Sequence, residues 1–189
     1  TKCKEDCLTS SEVIESLRSV LEDELIAKVG HNIKYDLVVL ERAGVKMLGP
    51  IHDTLIAAWI IDASRSGYSM DAVALGTLDY ECISIKELIG SGKDQLTFDQ
   101  VPLIDACPYA VEDVDITLQL WNTFEPRLNA EGDLRKLYDE IEMPLVRVLA
   151  EMRISGIKVD PAELQKQRTN ITGRIDELVI EIEKASPYS

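Results

Sequence analysis

Apolar positions recur at helical spacing over much of this 189-residue chain. After a polar opening, hydroxyl residues followed by Glu12 are typical of a helix start, and the apolar repeat behind them predicts an amphipathic helix over residues 11–23. The short apolar segment 25–30, which ends in glycine, predicts a buried strand. A second helix is predicted over 35–43, ending at Gly44. The pattern therefore begins with alternating helices and strands.

The middle of the chain continues with helices. Residues 53–63 are apolar on nearly every side, which predicts a buried helix with Asp53 at its acidic N-terminus. A polar turn and a short helix over 70–75 follow. A further helix is predicted over 109–121, with four large apolar side chains on one face: Val111, Val114, Leu118 and Trp121.

The character of the chain changes at the polar, glycine-containing segment 129–133. A long helical pattern then runs to Met152, and Pro144 within it predicts a kink. A turn and short strand are expected over 153–159, before a helix over 161–184. The heptad-like stripe of that last helix requires a partner that no later segment supplies, so we expect the chain to stop partway into a subdomain.

Composition narrows the function classes. The chain carries 34 acidic and 20 basic residues, a formal net charge of −14, and 46% of its residues are hydrophobic, which excludes a wholly disordered chain. No apolar run approaches the roughly 18 residues that span a bilayer, so we expect no membrane contact and a cytoplasmic location. The acid surplus argues against a DNA-coating surface and is compatible with a metal site.

Two local features are interpreted as structural. The four cysteines are too few and too scattered for a disulfide framework or zinc site, so we expect reduced thiols at Cys3, Cys7, Cys82 and Cys107. The run Gly90-Ser91-Gly92-Lys93 is similar to a phosphate loop, but Glu87 and Asp94 occupy the positions that require Gly and Ser or Thr. A flexible loop is predicted there.

Two segments could carry chemistry. Asn32-Ile33-Lys34-Tyr35-Asp36 follows the first predicted strand and opens a helix, so it places a carboxylate where α/β sites usually lie. Tyr109-Ala110-Val111-Glu112-Asp113 places a phenol and a carboxylate four residues apart on one helical face. Each pattern alone is commonplace. A solvated aspartate with a packed tyrosine is the simpler explanation of either segment when it is taken alone.

Together, these segments resemble the second and third exonuclease motifs of the bacterial family A DNA polymerases. Runs similar to that family also stand between and after them, in the same order: Asp53-Thr54, Met70-Asp71, Gly92 to Phe98, Ile141 to Leu145 and Gly156 to Asp160. The resemblance covers residues 12–185. It implies an α/β, ribonuclease-H-like (DnaQ-like) exonuclease fold over 1–130, expected to lack its first strands. A mostly helical start of a polymerase thumb would follow over 131–189.

The resemblance also implies roles for individual residues. Asp36 and Asp113 match ligands of two divalent cations, Mg or Mn, and Tyr109 matches the residue that orients the attacking water. Asn32 and Tyr35 match positions near a bound single strand. The implied activity is 3′→5′ proofreading by phosphodiester hydrolysis within a DNA-directed DNA polymerase. The implied partners are a single-stranded 3′ end, a primer-template and the remainder of the polymerase chain.

Two departures from the family pattern stand out. The family's Asp-x-Glu motif would precede Thr1, and Asp79-Tyr80-Glu81 stands too late to replace it, so the chain alone is expected to be inactive. Residues 83–85 lack the family's stacking aromatic, which weakens the case for tight single-strand binding. A vestigial, non-catalytic platform under the polymerase domain is the alternative. A stand-alone ribonuclease is disfavoured because 137–185 resemble a polymerase start. His31 and His52 are interpreted as structural.

Overall fold

Helices make up most of the chain in the computed structural model, which describes residues 8–185 except for the Asp94 side chain. The chain divides after Ile154 into two compact units. The first unit contains the only two strands of the described residues, β1 (Lys28–Gly30) and β2 (Ile51–Asp53). Its helices are α1 (Ser10–Leu21), α2 (Lys34–Arg42), α3 (Thr54–Ile61), α4 (Met70–Leu78), α5 (Ile85–Ile89), α6 (Leu103–Ala130), α7 (Gly132–Leu137) and α8 (Met143–Ser155), whose last residue crosses the division.

The strands form a parallel pair in which Lys28 lies opposite Ile51 and Gly30 opposite Asp53. The Lys28 side chain is buried, and its ammonium donates to the Asp23 and Leu48 carbonyl oxygens. Those bonds satisfy a buried charge, as burial requires, and they hold the loops before both strands together. The carboxyl ends of β1 and β2 therefore meet at one edge, where α2 and α3 begin.

The hydrophobic core lies between the sheet, α3 and the second half of α6. The helix α6 buries one face there: Ile116, Thr117, Leu120, Trp121, Phe124 and Leu128. The predicted apolar face of this helix is only partly correct, because Trp121 is buried while Val111, Val114 and Leu118 are exposed. Burial follows the neighbouring elements and not the apolar stripe alone.

The segment after α7 packs into this first unit. A π-helical turn, Tyr138–Glu142, leads directly into α8, and Tyr138 is fully buried. A kink is predicted at Pro144, and a π-helical turn lies just before that residue. Pro144 itself lies in the first turn of α8, where the missing N–H of proline is tolerated, and the kink stays a prediction. Arg147 on α8 donates to the Met47 and Gly49 carbonyl oxygens ahead of β2.

The second unit consists of a short connection and α9 (Pro161–Ala185). Asp160 caps α9 through the backbone N–H groups of Ala162 and Glu163, as its sequence pattern indicates. The strand predicted over 153–159 is wrong: 153–155 belong to α8, and 156–160 have no regular structure. Nothing in the described residues pairs with that segment. No helix in the described part of the chain has the length and apolar character of a membrane crossing.

Other predicted elements are present with shifted bounds. The predicted helices over 11–23, 35–43 and 70–75 correspond to α1, α2 and α4, and the predicted strand over 25–30 contracts to β1. The helix predicted over 109–121 extends to both sides as α6. The helix predicted over 53–63 is α3, which is not buried on every side because Trp59 is 43% exposed. Strand β2 and helix α5 were not predicted.

Candidate active site

An open cleft of about 520 Å³ lies where β1 ends, beside α2, α4 and α6. Carboxylates from two distant sequence segments line it, Asp36 from the first turn of α2 and Asp113 from α6. Other residues along its wall are Gly30, His31, Met70 and Thr117. The tertiary structure therefore brings together the two residues predicted to bind metal.

Asp36 lies at the mouth of the cleft. The residue as a whole is exposed. Partial burial of its carboxyl still raises the pKa above the ordinary value of 3.8, and the charge of Asp53 raises it further. Both influences disfavour the ionised form. The carboxylate has no ion-pair partner among the described residues. A cation would therefore relieve an unfavourable charge here.

Asp113 is the more enclosed carboxylate. Its Oδ1 atom is buried and has no hydrogen-bond partner among the described residues. Burial raises the pKa of its carboxyl, as do the charges of Glu112 and Asp71, while the nearby Tyr109 hydroxyl opposes them. A buried carboxylate oxygen without a donor is costly, so its presence points to a ligand.

Tyr109 lies one helical turn before Asp113. Burial raises the pKa of its phenol to about 12, and the negative charge of Asp113 contributes further. The phenol is thus neutral near pH 7 and can donate a hydrogen bond. Its ring packs on Phe98 with centroids 5.8 Å apart, which limits its movement. The residue matched to water orientation therefore stands beside the carboxylate matched to metal binding, although it is not among the residues that line the cleft.

The two residues predicted to lie near a bound strand do not line the cleft wall. Asn32 forms the turn into α2 with φ of 62°, and its backbone N–H donates to Asp53. Tyr35 is 57% exposed on the first turn of α2. Both are adjacent in sequence to the cleft residues, and their proposed contact with a strand stays a prediction.

Both histidines contact protein groups. His31 Nε2 lies 2.9 Å from the Tyr68 carbonyl oxygen and therefore donates to it, while Nδ1 lies 2.9 Å from Thr54 Oγ1. His52 stacks on Trp121 with ring centroids 4.1 Å apart. Burial lowers the pKa of both imidazoles, so both are held neutral near pH 7.

Sequence reasoning missed the role of Glu112. Its carboxylate accepts hydrogen bonds of 2.7 Å from the Tyr80 hydroxyl and from the Ile83 backbone N–H. These bonds attach the segment before α5 to α6, one residue from Asp113. Because Glu112 and its partners are far apart in the chain, no local pattern signals the contact. Cys82 within that segment and Cys107 are free thiols, whereas Cys3 and Cys7 lie outside the described residues.

The donor set suits hard divalent cations, which prefer carboxylate oxygens. Among the residues that the structure describes, neither Asp36 nor Asp113 has an ion-pair partner, and one oxygen of Asp113 lacks a hydrogen-bond partner. Within residues 8–185, however, no three His, Cys, Asp or Glu side chains come together as a metal-binding group. The cleft thus holds two ligands of a suitable kind and not a complete set.

Two DNA polymerases are similar in sequence to this chain. DNA polymerase I of Rhizobium leguminosarum is 40% identical over 149 residues, which are 79% of this chain and 14% of that protein. DNA polymerase I of Pseudomonas aeruginosa is 38% identical over 150 residues, or 78% of this chain and 16% of that protein. The chain therefore spans a small part of the length of these relatives.

Two solved structures share the fold. One is the POL domain of Pol1 from M. smegmatis in complex with DNA primer-template and dNTP, with a TM-score of 0.64 and 24% identity, covering 90% of this chain and 26% of that one. The other is Brucella melitensis NrnC, with a TM-score of 0.59 and 20% identity, covering 74% of this chain and 64% of that one. A family model described as 3'-5' exonuclease matches residues 2–129. The chain belongs to the 3′-5′ exonuclease family of the family A DNA polymerases.

Proposed function

We propose that this chain is the proofreading module of a family A DNA polymerase and removes nucleotides from single-stranded 3′ ends by two-metal hydrolysis. The supporting observation is that Asp36 and Asp113 line one cleft, where an oxygen of Asp113 is buried and has no hydrogen-bond partner in the described part of the chain. The match of residues 2–129 to the 3′-5′ exonuclease family adds independent support. The substrate is a phosphodiester, and the partners are a primer-template and the remainder of the polymerase.

Two carboxylates of the cleft and Tyr109, which lies beside Asp113 on α6, would divide the chemical work. Asp36 and Asp113 would hold Mg or Mn, which when bound supplies an acidic water and neutralises the charge of the scissile phosphate. Tyr109 keeps its proton because its pKa is raised to about 12, and its phenol can hold the attacking water by a hydrogen bond. The raised pKa of Asp113 makes cation binding compete with a proton. Its metal affinity therefore increases with pH.

The finer structural assignments belong to the same proposal. We assign residues 1–130 to a ribonuclease-H-like (DnaQ-like) exonuclease domain and residues 131–189 to the start of the polymerase domain at the base of the thumb. The family match ending at residue 129 supports this division. The parallel pair of strands and the fold shared with NrnC support the first assignment. A cytoplasmic location follows from the proposed role in replication and repair.

A second function, a non-catalytic platform for the polymerase domain, is favoured by two observations. No group of three metal-binding side chains exists among the residues that the structure describes. Tyr138 and Arg147, from the region after residue 130, bond to both ends of the β2 segment, as a platform that supports neighbouring structure would require. The two functions differ in whether the cleft binds metal.

Calorimetric titration with Mn²⁺ and a nuclease assay distinguish these functions. We expect Asp36→Ala and Asp113→Ala to abolish 3′→5′ degradation of an end-labelled single strand by the whole polymerase, and to leave primer extension intact. Asp115→Ala is the matched control, since Asp115 is exposed on the same helix and bonds to Gln119 instead of lining the cleft. Nuclease activity that is unchanged in both cleft variants would disprove the proposal. If the wild-type polymerase shows neither 3′→5′ nuclease activity nor Mn²⁺ binding in the cleft, the result would support the platform function.

A further inference from the structure

A buried carboxylate behind the cleft joins the beginnings of two helices. We propose that Asp53 is a positioning residue for the cleft: it holds the backbone turn that begins α2 and thereby sets where Asp36 lies. Asp53 is 2% exposed and is not among the residues that line the cleft. It therefore acts through the backbone and not on a substrate. This inference rests on the proposed function of the cleft.

The hydrogen bonds of Asp53 connect two chain segments. Oδ1 accepts from the backbone N–H groups of Asn32 at 3.0 Å and Leu55 at 2.9 Å, and more weakly from Ile56 at 3.4 Å. Oδ2 accepts from the Ile33 N–H at 2.9 Å. Leu55 and Ile56 belong to the start of α3, whereas Asn32 and Ile33 precede α2. One carboxylate thus serves two helix starts.

These donors lie just before the first turn of α2 and within the first turn of α3. The first N–H groups of a helix lack partners within it, and their positive end attracts a negative charge. The start of α2 has no side-chain cap of its own from its N-cap residue, Ile33. From the neighbouring strand, Asp53 accepts from the Asn32 and Ile33 N–H groups just before the first turn of α2. Among the described residues it has no ion-pair partner, so the backbone groups compensate its buried charge.

The turn held by Asp53 has a restricted conformation. Asn32 has φ of 62°, a left-handed conformation that few residues other than glycine adopt and that asparagine tolerates better than most. On either side the packing is tight: a Cβ on Gly30 would lie 2.9 Å from Ile33 Cγ1, and Ile33 is 1% exposed. The backbone therefore cannot shift by small steps. Asp36 follows one helical turn later, so the turn determines its position in the cleft.

Tyr138 supports Asp53 from the opposite side. Its hydroxyl accepts a 2.8 Å hydrogen bond from the Asp53 backbone N–H. Tyr138 is fully buried at the π-helical turn. A continuous set of contacts consequently runs from the π turn through Asp53 and the α2 turn to Asp36. Backbone donors thus compensate the carboxylate that is buried at the end of β2.

Amide hydrogen exchange and Mn²⁺ titration test the proposal. In the wild-type chain, the Asn32 and Ile33 amides should exchange slowly, although amides at a helix start usually exchange fast. In Asp53→Asn, we expect both amides to lose protection, and the affinity of the cleft for Mn²⁺, measured by paramagnetic broadening of amide signals, to fall about tenfold. Val146→Ala is the control, because it removes buried contacts in the same unit without touching the turn.

Each possible result either supports or overturns the positioning role of Asp53. Unprotected Asn32 and Ile33 amides in the wild type, an unchanged Mn²⁺ affinity in Asp53→Asn, or an equal loss in Val146→Ala would each overturn the proposal. If Asp53→Asn does not fold, Tyr138→Phe replaces it and must accelerate exchange at Asn32. If the wild type binds no Mn²⁺, the proposed function fails, and amide exchange together with the chemical shift of the Asp36 amide still decides the positioning role.

Discussion

The chain contains two carboxylate environments that differ in how the protein treats their charge. At the end of β2, Asp53 is buried and accepts four backbone hydrogen bonds. In the cleft, Asp113 has a buried oxygen with no donor among the described residues, and Asp36 has no ion-pair partner there. A satisfied carboxylate stabilises the fold, while an unsatisfied one reduces stability and is available to a ligand.

Removing the satisfied carboxylate should have the largest effect. Asp53→Ala leaves the N–H groups of Asn32, Ile33 and Leu55 without an acceptor in a largely buried region. We expect the free energy of unfolding to fall by about 3 kcal/mol, the combined effect of a lost cap and unsatisfied donors. Urea unfolding at pH 7 measures it, with Asp160→Ala, which removes the cap of α9, as a comparison. If Asp53→Ala lowers the free energy of unfolding by less than Asp160→Ala does, the contrast between the two carboxylate environments is contradicted.

Removing the support behind Asp53 should have a smaller effect. Tyr138→Phe keeps the ring in place and deletes the hydroxyl that accepts from the Asp53 N–H. A single buried hydrogen bond contributes about 1 kcal/mol to stability, so we expect a loss of that size. Thermal and urea unfolding of this variant beside Tyr80→Phe, whose hydroxyl bonds to Glu112 at the surface, give the measurement. Equal losses in both variants would show that burial of the bond is unimportant.

Neutralising the unsatisfied carboxylate should have the smallest effect and the opposite sign. The folded state raises the pKa of Asp113 above its ordinary value of 3.8, so its ionised form is less favourable in the folded chain than in the unfolded one. Stability from this group is therefore present below pH 3.8 and is lost as pH rises through the folded pKa. Asp113→Asn should stabilise the metal-free chain at pH 7 by on the order of a few tenths of a kcal/mol.

The difference between Asp113→Asn and the wild type should disappear near pH 3, where both side chains are neutral. Melting temperatures at the two pH values measure it, and Asp115→Asn on the same helix is the control. A lower melting temperature for Asp113→Asn at pH 7 would refute the assignment of Asp113 as an unsatisfied group. That result would instead favour a structural role for Asp113, as for Asp53.

Local sequence patterns predicted most helices correctly. Thr9 and Glu12 form the expected capping box of α1, and Asp53 caps α3 as its position indicates. These interactions connect residues two or three apart, so their geometry follows from the helix itself. Strand β2 escaped prediction because only one of its three residues, Ile51, is apolar, so it lacks the apolar run that indicated β1. The strand expected after α8 failed because a strand requires a neighbour to pair with.

The sequence by itself determined the helices, their caps and the family, because each depends on spacing within one segment or on motifs in a given order. The tertiary structure decided that Asp36 and Asp113 share a cleft, that Asp53 connects α2 to α3, and which side of α6 is buried. Those relations join residues distant in the chain. They depend on which elements pack together. Hydrophobic burial favours that packing, but no local pattern indicates which elements will pack on each other.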